Sequence, residues 1–282
     1  MFWEYIKAII FGIIEGVTEW LPISSTGHLI LLDTAISLDV GASAELSLQF
    51  KAMFDVVIQL GAILAVLFIY LRELLPFGKA KKSAFSLWGR LILATIPTAV
   101  IGLGADKLCE KHFGKSLDEF LFTPQVVASA LIAYGILFIL VEKLTAKNEK
   151  DKEITPKKAV AIGFFQALAI IPGTSRSGAT ILGARILGIP REKAARFSFF
   201  AAIPVIAAAS LLKIYDFAKY MSTCTESLTV NAYLLLFVAF LTAFAISVLT
   251  IGFLTDFVKK HTFIPFGVYR ILLGILVLLF IK

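Results

Sequence analysis

Residues 159–188 read AVAIGFFQALAIIPGTSRSGATILGARILG, an apolar stretch that is interrupted by proline, glycine, hydroxyl residues and arginine. Residues 5–32, YIKAIIFGIIEGVTEWLPISSTGHLILL, are interrupted in the same way. Broken backbone and charged groups are tolerated at membrane depth only where they are buried in protein or line a water-filled cavity. Because lysine and arginine flank 159–188 on both sides, this stretch is predicted to be a helix pair that enters from the cytoplasm and returns there.

The two stretches are related by a repeat, and each is followed by three apolar segments. An odd number of crossings inverts the second copy, so the helix pairs are predicted to be opposed and to meet near the membrane midplane, as in inverted-repeat transporters. The matching positions are Gly12, Glu15, Pro22, Ser24, Ser25 and Gly27 in the first copy and Gly163, Gln166, Pro172, Ser175, Arg176 and Gly178 in the second.

The composition places the chain in a lipid bilayer. It is 59% hydrophobic and 17% charged, with a mean hydropathy of +0.88, whereas soluble domains are about 45 to 50% apolar and about 25% charged. The fold class is therefore predicted as an all-α polytopic membrane protein. The chain is predicted to form a single membrane domain, with one half at about 1–145, a basic linker at about 145–158 and a second half at about 159–282. The predicted transmembrane helices are six, near 53–72, 87–108, 124–144, 197–215, 231–255 and 263–281.

The net charge of +7 comes largely from lysine and arginine beside the ends of apolar segments. Orientation signals and anionic lipid headgroups account for such residues, so nucleic acid is not expected as a partner. The basic connectors around Lys79, at 143–158 and at 259–260 are predicted to be cytoplasmic. The first helix pair then opens toward the outer side of the membrane.

Two carboxylates stand out in the first stretch. Glu15 and Glu19 are four residues apart, so they lie on one helix face about 6 Å apart along the axis. Unpaired charge is costly in a bilayer, so the pair is expected to share a proton, face water or hold a cation. A solvated interfacial helix face, or capping near a helix end, is the alternative.

A hydroxyl run, Ser24, Ser25 and Thr26, follows Pro22, and His28 lies three residues beyond Ser25. Alone, the run is also typical of helix N-capping. With His28 nearby it indicates chemistry, because a hydroxyl nucleophile or a water needs a base within hydrogen-bond reach and an imidazole can act as base and then as acid.

The second stretch contains PGTSRSGAT, residues 172–180, at the predicted start of a helix. Backbone N–H groups at a helix N-terminus and the planar guanidinium of Arg176 are both suited to phosphate. The pattern lacks the GK[ST] ending of a nucleotide-binding loop. Carboxylates and histidine from one half and an anion site from the other predict phosphoryl hydrolysis. A transporter or flippase for a phosphorylated lipid or small anion is the alternative from another class.

These motifs, EGVTE with PISSTGH and then PGTSRSGAT, resemble the signatures of the undecaprenyl-diphosphate phosphatase family, also called the bacitracin-resistance protein family. The resemblance covers essentially the whole chain. It implies an enzyme of the inner (plasma) membrane that converts undecaprenyl diphosphate to undecaprenyl phosphate and inorganic phosphate. Such an enzyme recycles the lipid carrier of peptidoglycan synthesis, confers bacitracin resistance, requires a divalent cation, Mg²⁺ or Ca²⁺, and opens its active site to the outer face.

The resemblance also implies roles for individual residues. Glu15 and Glu19 would hold the metal. The catalytic group comprises Glu19, Ser25, His28 and Arg176. The diphosphate-binding group comprises Ser24, Thr26, Ser175, Arg176, Ser177 and Thr180, and Gln166 joins it because it matches Glu15 in the repeat.

Several questions stay open at this level. Four other polar residues suit either helix packing or the edge of the site: Asp55, Gln59, Asp106 and Arg270. A covalent intermediate on Ser25 and direct attack by water are both compatible with the motifs. The expected partners are a polyprenyl diphosphate lipid and the membrane, and a homodimer is an open alternative to a monomer.

Overall fold

A computed structural model describes residues 2–76, 81–145 and 153–280 of the protein. Lys79, residues 146–152 of the predicted linker and the end of the last predicted crossing lie outside these ranges. Within them the regular elements are helical. The α-helices are α1 Phe2–Thr18, α2 Ser25–Ala35, α3 Ala44–Ile69, α4 Leu71–Leu74, α5 Lys81–Phe113, α6 Leu117–Leu121, α7 Pro124–Thr145, α8 Pro156–Ala167, α9 Arg176–Ile186, α10 Arg191–Thr223, α11 Val230–Lys260 and α12 Ile264–Phe280.

The membrane-spanning character of the chain is confirmed. In the described ranges, α3, α5, α7, α10 and α11 are long and apolar enough to cross a bilayer. The sixth predicted crossing corresponds to α12, which is apolar but only 17 residues long. An all-α polytopic membrane protein is therefore the observed fold class, with five helices of spanning length and a shorter sixth.

The long helices extend well beyond the predicted crossings. Both α5 and α10 contain 33 residues, a length of about 50 Å against a hydrocarbon core of about 30 Å. Apolar residues mark only the part of a helix that lies in hydrocarbon, whereas the helix itself continues until a cap or turn ends it. The predicted segments 87–108 and 197–215 are for this reason too short.

The two interrupted stretches form broken helices. In the first, α1 ends at Thr18 and α2 begins at Ser25. In the second, α8 runs into a short 3₁₀ turn, Leu168–Ile170, and α9 begins at Arg176. Because α2 and α9 have 11 residues each, about 16 Å, neither can cross the hydrocarbon core. Their re-entrant placement in a membrane stays a prediction.

The helix before each break packs against the other half of the chain. α1 packs against α11 of the second half, and α8 packs against α5 of the first. The contacts are close enough to require glycine. A Cβ atom at Gly12 would lie 2.5 Å from the carbonyl oxygen of Ala239, and one at Gly163 would clash with the backbone of Ala94. Gly12 and Gly163 are matched positions of the repeat, so the same close approach occurs in both halves.

Further contacts between the halves bring the two breaks together. α3 packs against α10, and α7 packs against α12. The breaks are thereby placed side by side in the interior of the helix bundle, where Ser177 Oγ of the second break donates a hydrogen bond to the Leu21 carbonyl of the first over 3.3 Å.

Candidate active site

Each break ends in a serine with an unusual backbone. We call Glu19–Ser24 the first turn and Ile171–Ser175 the second turn. Ser24 has φ 77° and Ser175 has φ 73°, and they are the non-glycine residues with positive φ in the described chain. Each caps the following helix, because Ser24 Oγ accepts from Gly27 N–H and Ser175 Oγ accepts from Gly178 N–H. A left-handed conformation costs about 1–2 kcal/mol at a residue with a side chain, so packing and these caps must hold the turns in place.

Glu19 joins the two turns. Its Oε1 lies 2.8 Å from Nη2 of Arg176, and its Oε2 accepts a hydrogen bond from Ser25 Oγ over 2.6 Å. Nη1 of Arg176 also donates to the Ser198 carbonyl over 2.6 Å. Glu19 and Ser25 are buried. A carboxylate that contacts both a guanidinium and a hydroxyl can accept the hydroxyl proton when the oxygen attacks an electrophile.

A cavity of about 90 Å³ lies beside this group. It receives polar side chains from both turns and their helices, and Gln59 of α3 completes the polar part. Ala169, Ile171 and Ile206 form its apolar side. The lining residues that were predicted from the sequence are Glu19, Ser24, Ser25, Thr26, Ser175 and Arg176. Their hydroxyl groups and one guanidinium make this cavity suited to an anion.

His28 is half-buried and does not contact the hydroxyl that it was predicted to serve. Its Nδ1 lies 2.7 Å from the Ser24 carbonyl, which can only accept, so Nδ1 carries the hydrogen. Nε2 therefore accepts from the Tyr269 hydroxyl, also at 2.7 Å. In the described part of the chain no hydrogen bond joins His28 to Ser25; Glu19 makes that contact instead. Sequence reasoning missed Tyr269, which carries no motif signal.

Ser177 and Thr180 were predicted to bind phosphate, but their hydroxyl groups are used within the protein. Ser177 Oγ donates to Leu21 of the first turn, as described above, and Thr180 Oγ1 donates to the Arg176 carbonyl. Both residues are buried and neither lines the cavity. Among the hydroxyl residues of the second motif it is Ser175 that faces the cavity.

Gln166 is also placed away from the cavity. It is fully buried, and its Nε2 donates to Thr98 Oγ1 of α5 over 3.0 Å. The same Thr98 hydroxyl donates to the Gly163 carbonyl. Gln166 thus holds α8 against α5.

Glu15 lies one helical turn before Glu19 and is fully buried. Neither carboxylate oxygen has a hydrogen-bond partner in the described residues, and Glu15 does not line the cavity. The described ranges contain no group of three or more histidine, cysteine, aspartate or glutamate residues positioned for a metal ion. Two carboxylates are nevertheless the number that Mg²⁺ commonly takes from a protein, since waters and substrate phosphates supply its other ligands.

The four residues left open by the sequence fall into two groups. Gln59 lines the cavity, and Arg270 contacts both turns through its guanidinium. Asp55 is paired with Lys51 at 2.7 Å, and Asp106 accepts from the backbone of Leu117. The last two are therefore packing residues in this structure.

A third buried carboxylate lies outside the site. Glu142 of α7 contacts Nε of Arg185 at 2.8 Å and Nε of Arg191 at 2.6 Å. Both of its oxygens are bound by arginine, and neither contacts a hydroxyl on a cavity wall. This cluster ties α7 to α9 and α10 and provides a comparison for the Glu19 group.

Known proteins are similar along the whole chain. The sequence model of the bacitracin resistance protein BacA family matches residues 8–276. A protein of Lactococcus lactis subsp. cremoris (strain SK11), named undecaprenyl-diphosphatase, is 46% identical over 98% of this chain and 97% of its own length. Proteins of the same name from Enterococcus faecalis and Acetivibrio thermocellus are 46% and 45% identical, and the alignments cover 99% and 98% of this chain and 97% of each relative. This chain therefore belongs to the bacitracin resistance protein BacA family.

Proposed function

We infer that the chain is an undecaprenyl-diphosphate phosphatase, which hydrolyses undecaprenyl diphosphate to undecaprenyl phosphate and inorganic phosphate. The names of its relatives give the substrate. The observation that carries the inference is the position of Glu19, which contacts the Ser25 hydroxyl at the start of α2 and the Arg176 guanidinium at the start of α9 beside a small polar cavity. Hydrolysis of a diphosphate requires a base, an oxygen nucleophile and a cationic group in this proximity.

The reaction breaks one P–O bond of the anhydride and consumes one water. Glu19 accepts the proton of the attacking oxygen, which belongs either to Ser25 or to a water held by Ser25. If Ser25 attacks, a phosphoseryl group forms and water then releases it as inorganic phosphate. Arg176 and the N–H groups at the start of α9 stabilise charge on the phosphoryl oxygens.

His28 lies apart from the Glu19 group and does not line the cavity. Its Nε2 lone pair accepts from the Tyr269 hydroxyl, so His28 must first take up a proton at Nε2 before the His28–Tyr269 pair can donate one. We propose that it protonates a leaving phosphate oxygen, while Glu19 serves the nucleophile. This assignment reverses the order suggested by the sequence, in which His28 was the base for Ser25.

We propose that Glu15 and Glu19 would hold a divalent cation, because carboxylate oxygens are hard ligands preferred by Mg²⁺ and Ca²⁺. Both oxygens of Glu15 are without a hydrogen-bond partner in the described chain, whereas the oxygens of Glu19 contact Arg176 and Ser25, so one of these contacts would give way to the ion. When bound, such an ion would neutralise charge on the diphosphate. The protein residues then orient the substrate and move the protons.

The cellular setting follows from topology and substrate. The basic connectors support an orientation in which the first helix pair opens to the outer side of the plasma (inner) membrane. Undecaprenyl diphosphate released there by cell-wall synthesis would be converted to the carrier form. Removal of this lipid also accounts for bacitracin resistance.

The test is phosphate release from a C55 or C15 polyprenyl diphosphate by the purified full-length protein in detergent, with and without EDTA. Wild-type protein is expected to release phosphate and to lose this activity with EDTA. Arg176→Lys is expected to lower kcat/KM by about 100-fold, because a lysine cannot reproduce the planar fork that contacts Glu19 and Ser198.

Arg185→Lys is the matched control, since Arg185 also binds a buried carboxylate but lies outside the cavity. Its KM and kcat per folded molecule are expected to match those of the wild type. If folded wild-type protein binds the lipid but releases no phosphate, the inference is wrong and transport of a phosphorylated lipid becomes the better explanation of the inverted repeat.

A further inference from the structure

Arg270 of α12 is the residue that touches both turns through backbone carbonyls. It is fully buried. Its Nη1 donates to the Pro22 carbonyl over 3.0 Å, and its Nη2 donates to the carbonyls of Gly173 and Thr174 over 2.7 and 2.8 Å. No carboxylate pairs with Arg270 anywhere in the described ranges, so its charge is compensated by peptide dipoles from the two breaks.

These three carbonyls belong to backbone that the breaks have removed from helical hydrogen bonding. Such groups need a partner inside a protein, because an unsatisfied buried carbonyl costs about 1–3 kcal/mol. A planar guanidinium can bind carbonyls on both sides at once. The first and second turns are therefore held at a fixed separation by one side chain.

The contact to Thr174 has a consequence on the cavity side of the second turn. The C=O and N–H groups of a trans peptide point in opposite directions. Since Arg270 binds the Thr174 carbonyl, the N–H of Ser175 points away from Arg270. That N–H has no partner among the described residues, and Ser175 lines the cavity whereas Arg270 does not.

We propose that Arg270 is a positioning residue, which fixes the spacing of the two turns and directs the Ser175 N–H at a phosphate oxygen of the substrate. The proposal rests on the proposed function, since it assigns the cavity to a diphosphate. Arg270 itself does not touch the substrate. Its effect is transmitted by the peptide between Thr174 and Ser175.

The test compares phosphate-release kinetics of wild type, Arg270→Met, Arg270→Lys and Arg185→Met with a C15 polyprenyl diphosphate. Arg185→Met is the matched control. Arg185 is also a buried arginine, but it binds Glu142 and does not line the cavity. The folded fraction of each protein is measured by size-exclusion chromatography and by thermal unfolding in detergent.

Loss of folded protein lowers the apparent kcat and leaves KM unchanged, whereas a misdirected phosphate donor also raises KM. For Arg270→Met we expect KM to rise about tenfold and kcat/KM to fall about 100-fold per folded molecule. Arg270→Lys should lie between this variant and the wild type, because one ammonium can keep some of the three carbonyl contacts. Arg185→Met should keep the wild-type KM.

The outcomes separate the two proposals. An inactive, folded wild-type protein contradicts the proposed function. An active wild type together with an Arg270→Met variant whose KM is unchanged contradicts only the positioning role. If Arg270→Met does not fold, Arg270→Lys decides by the same KM criterion.

Discussion

The first and second turns end in the same way, and the residues around them carry opposite charges. Both follow a helix that packs on the other half, both end in a serine with φ near 75°, and both serines cap the next helix. The first turn supplies the carboxylate of Glu19, and the helix after it begins with the hydroxyl of Ser25. At the position matching Ser25, the helix after the second turn begins with Arg176.

This difference shows how a repeated scaffold can make an asymmetric site. The capping serine with positive φ is common to both copies and places the residue after it at the start of a helix. Charge then differs between the copies, so that the packing of the two halves sets an anion against a cation at 2.8 Å. Two identical copies of the first sequence would supply carboxylates and no guanidinium, so the buried charge of Glu19 would lack its cation.

The largest expected effect comes from removing the charge that links the turns. Glu19→Gln leaves Arg176 without its anion and Ser25 without a proton acceptor. We expect kcat/KM to fall by about 1,000-fold, measured as phosphate release per folded protein. Activity within tenfold of wild type would show that the link between the turns is structural only.

Glu142→Gln is the control for this substitution, since Glu142 also accepts from two partners while buried. Removing one member of a buried ion cluster is expected to lower the thermal unfolding temperature. The KM of the folded protein should not change, because the Glu142 cluster does not line the cavity.

An intermediate effect is expected at Glu15. Glu15→Gln keeps the shape of the side chain and removes a carboxylate ligand. The Mg²⁺ or Ca²⁺ concentration for half-maximal activity should rise by about 10- to 100-fold, and stabilisation by added metal in a thermal melt should diminish. Unchanged metal dependence in both assays would remove Glu15 from the metal site.

The smallest effect is expected at the two capping serines. Ser24→Ala and Ser175→Ala should each lower the free energy of unfolding by about 1 kcal/mol. Alanine cannot make the capping hydrogen bond, and its side chain is still strained by the positive φ. Glycine at the same positions should cost less, since it adopts positive φ freely. Thermal unfolding in detergent measures both series. If the two serine substitutions lower the free energy of unfolding by different amounts, the two turns are not equivalent as the repeat implies.

Much of the fold could be predicted because bilayer insertion imposes a simple rule on sequence. Runs of apolar residues located the long helices, and the breaks at Pro22 and Pro172 located the two turns. Helix ends were placed poorly, since α3 begins at Ala44 rather than near residue 53. Its start is determined by the Ser43 cap, a local hydrogen bond that hydropathy does not register.

The sequence identified residues of the candidate site, but it did not show which of them contact one another. Short-range motifs identified Glu19, Ser25 and Arg176, which the structure brings together. Contacts between distant segments were not readable. Tyr269 contacts His28 across 241 positions, and Arg270 contacts Pro22 across 248. Whether such a contact forms depends on helix packing, which no local sequence pattern encodes. Ser177, Thr180 and Gln166 illustrate the same limit, because their side chains serve the protein interior.

The packing of each broken helix against the other half also has a consequence for synthesis. Glu19 precedes its partner Arg176 by 157 positions, and α1 packs against α11, which is translated after both turns. While the first half is being inserted, Glu15 and Glu19 are already at the membrane, and their guanidinium and the closing face of α11 have not yet been made. The nascent chain must keep these carboxylates hydrated, protonated or sheltered until α11 has been translated. A protein truncated before α11 would consequently contain every acidic residue of the site and still lack the helix that closes over it.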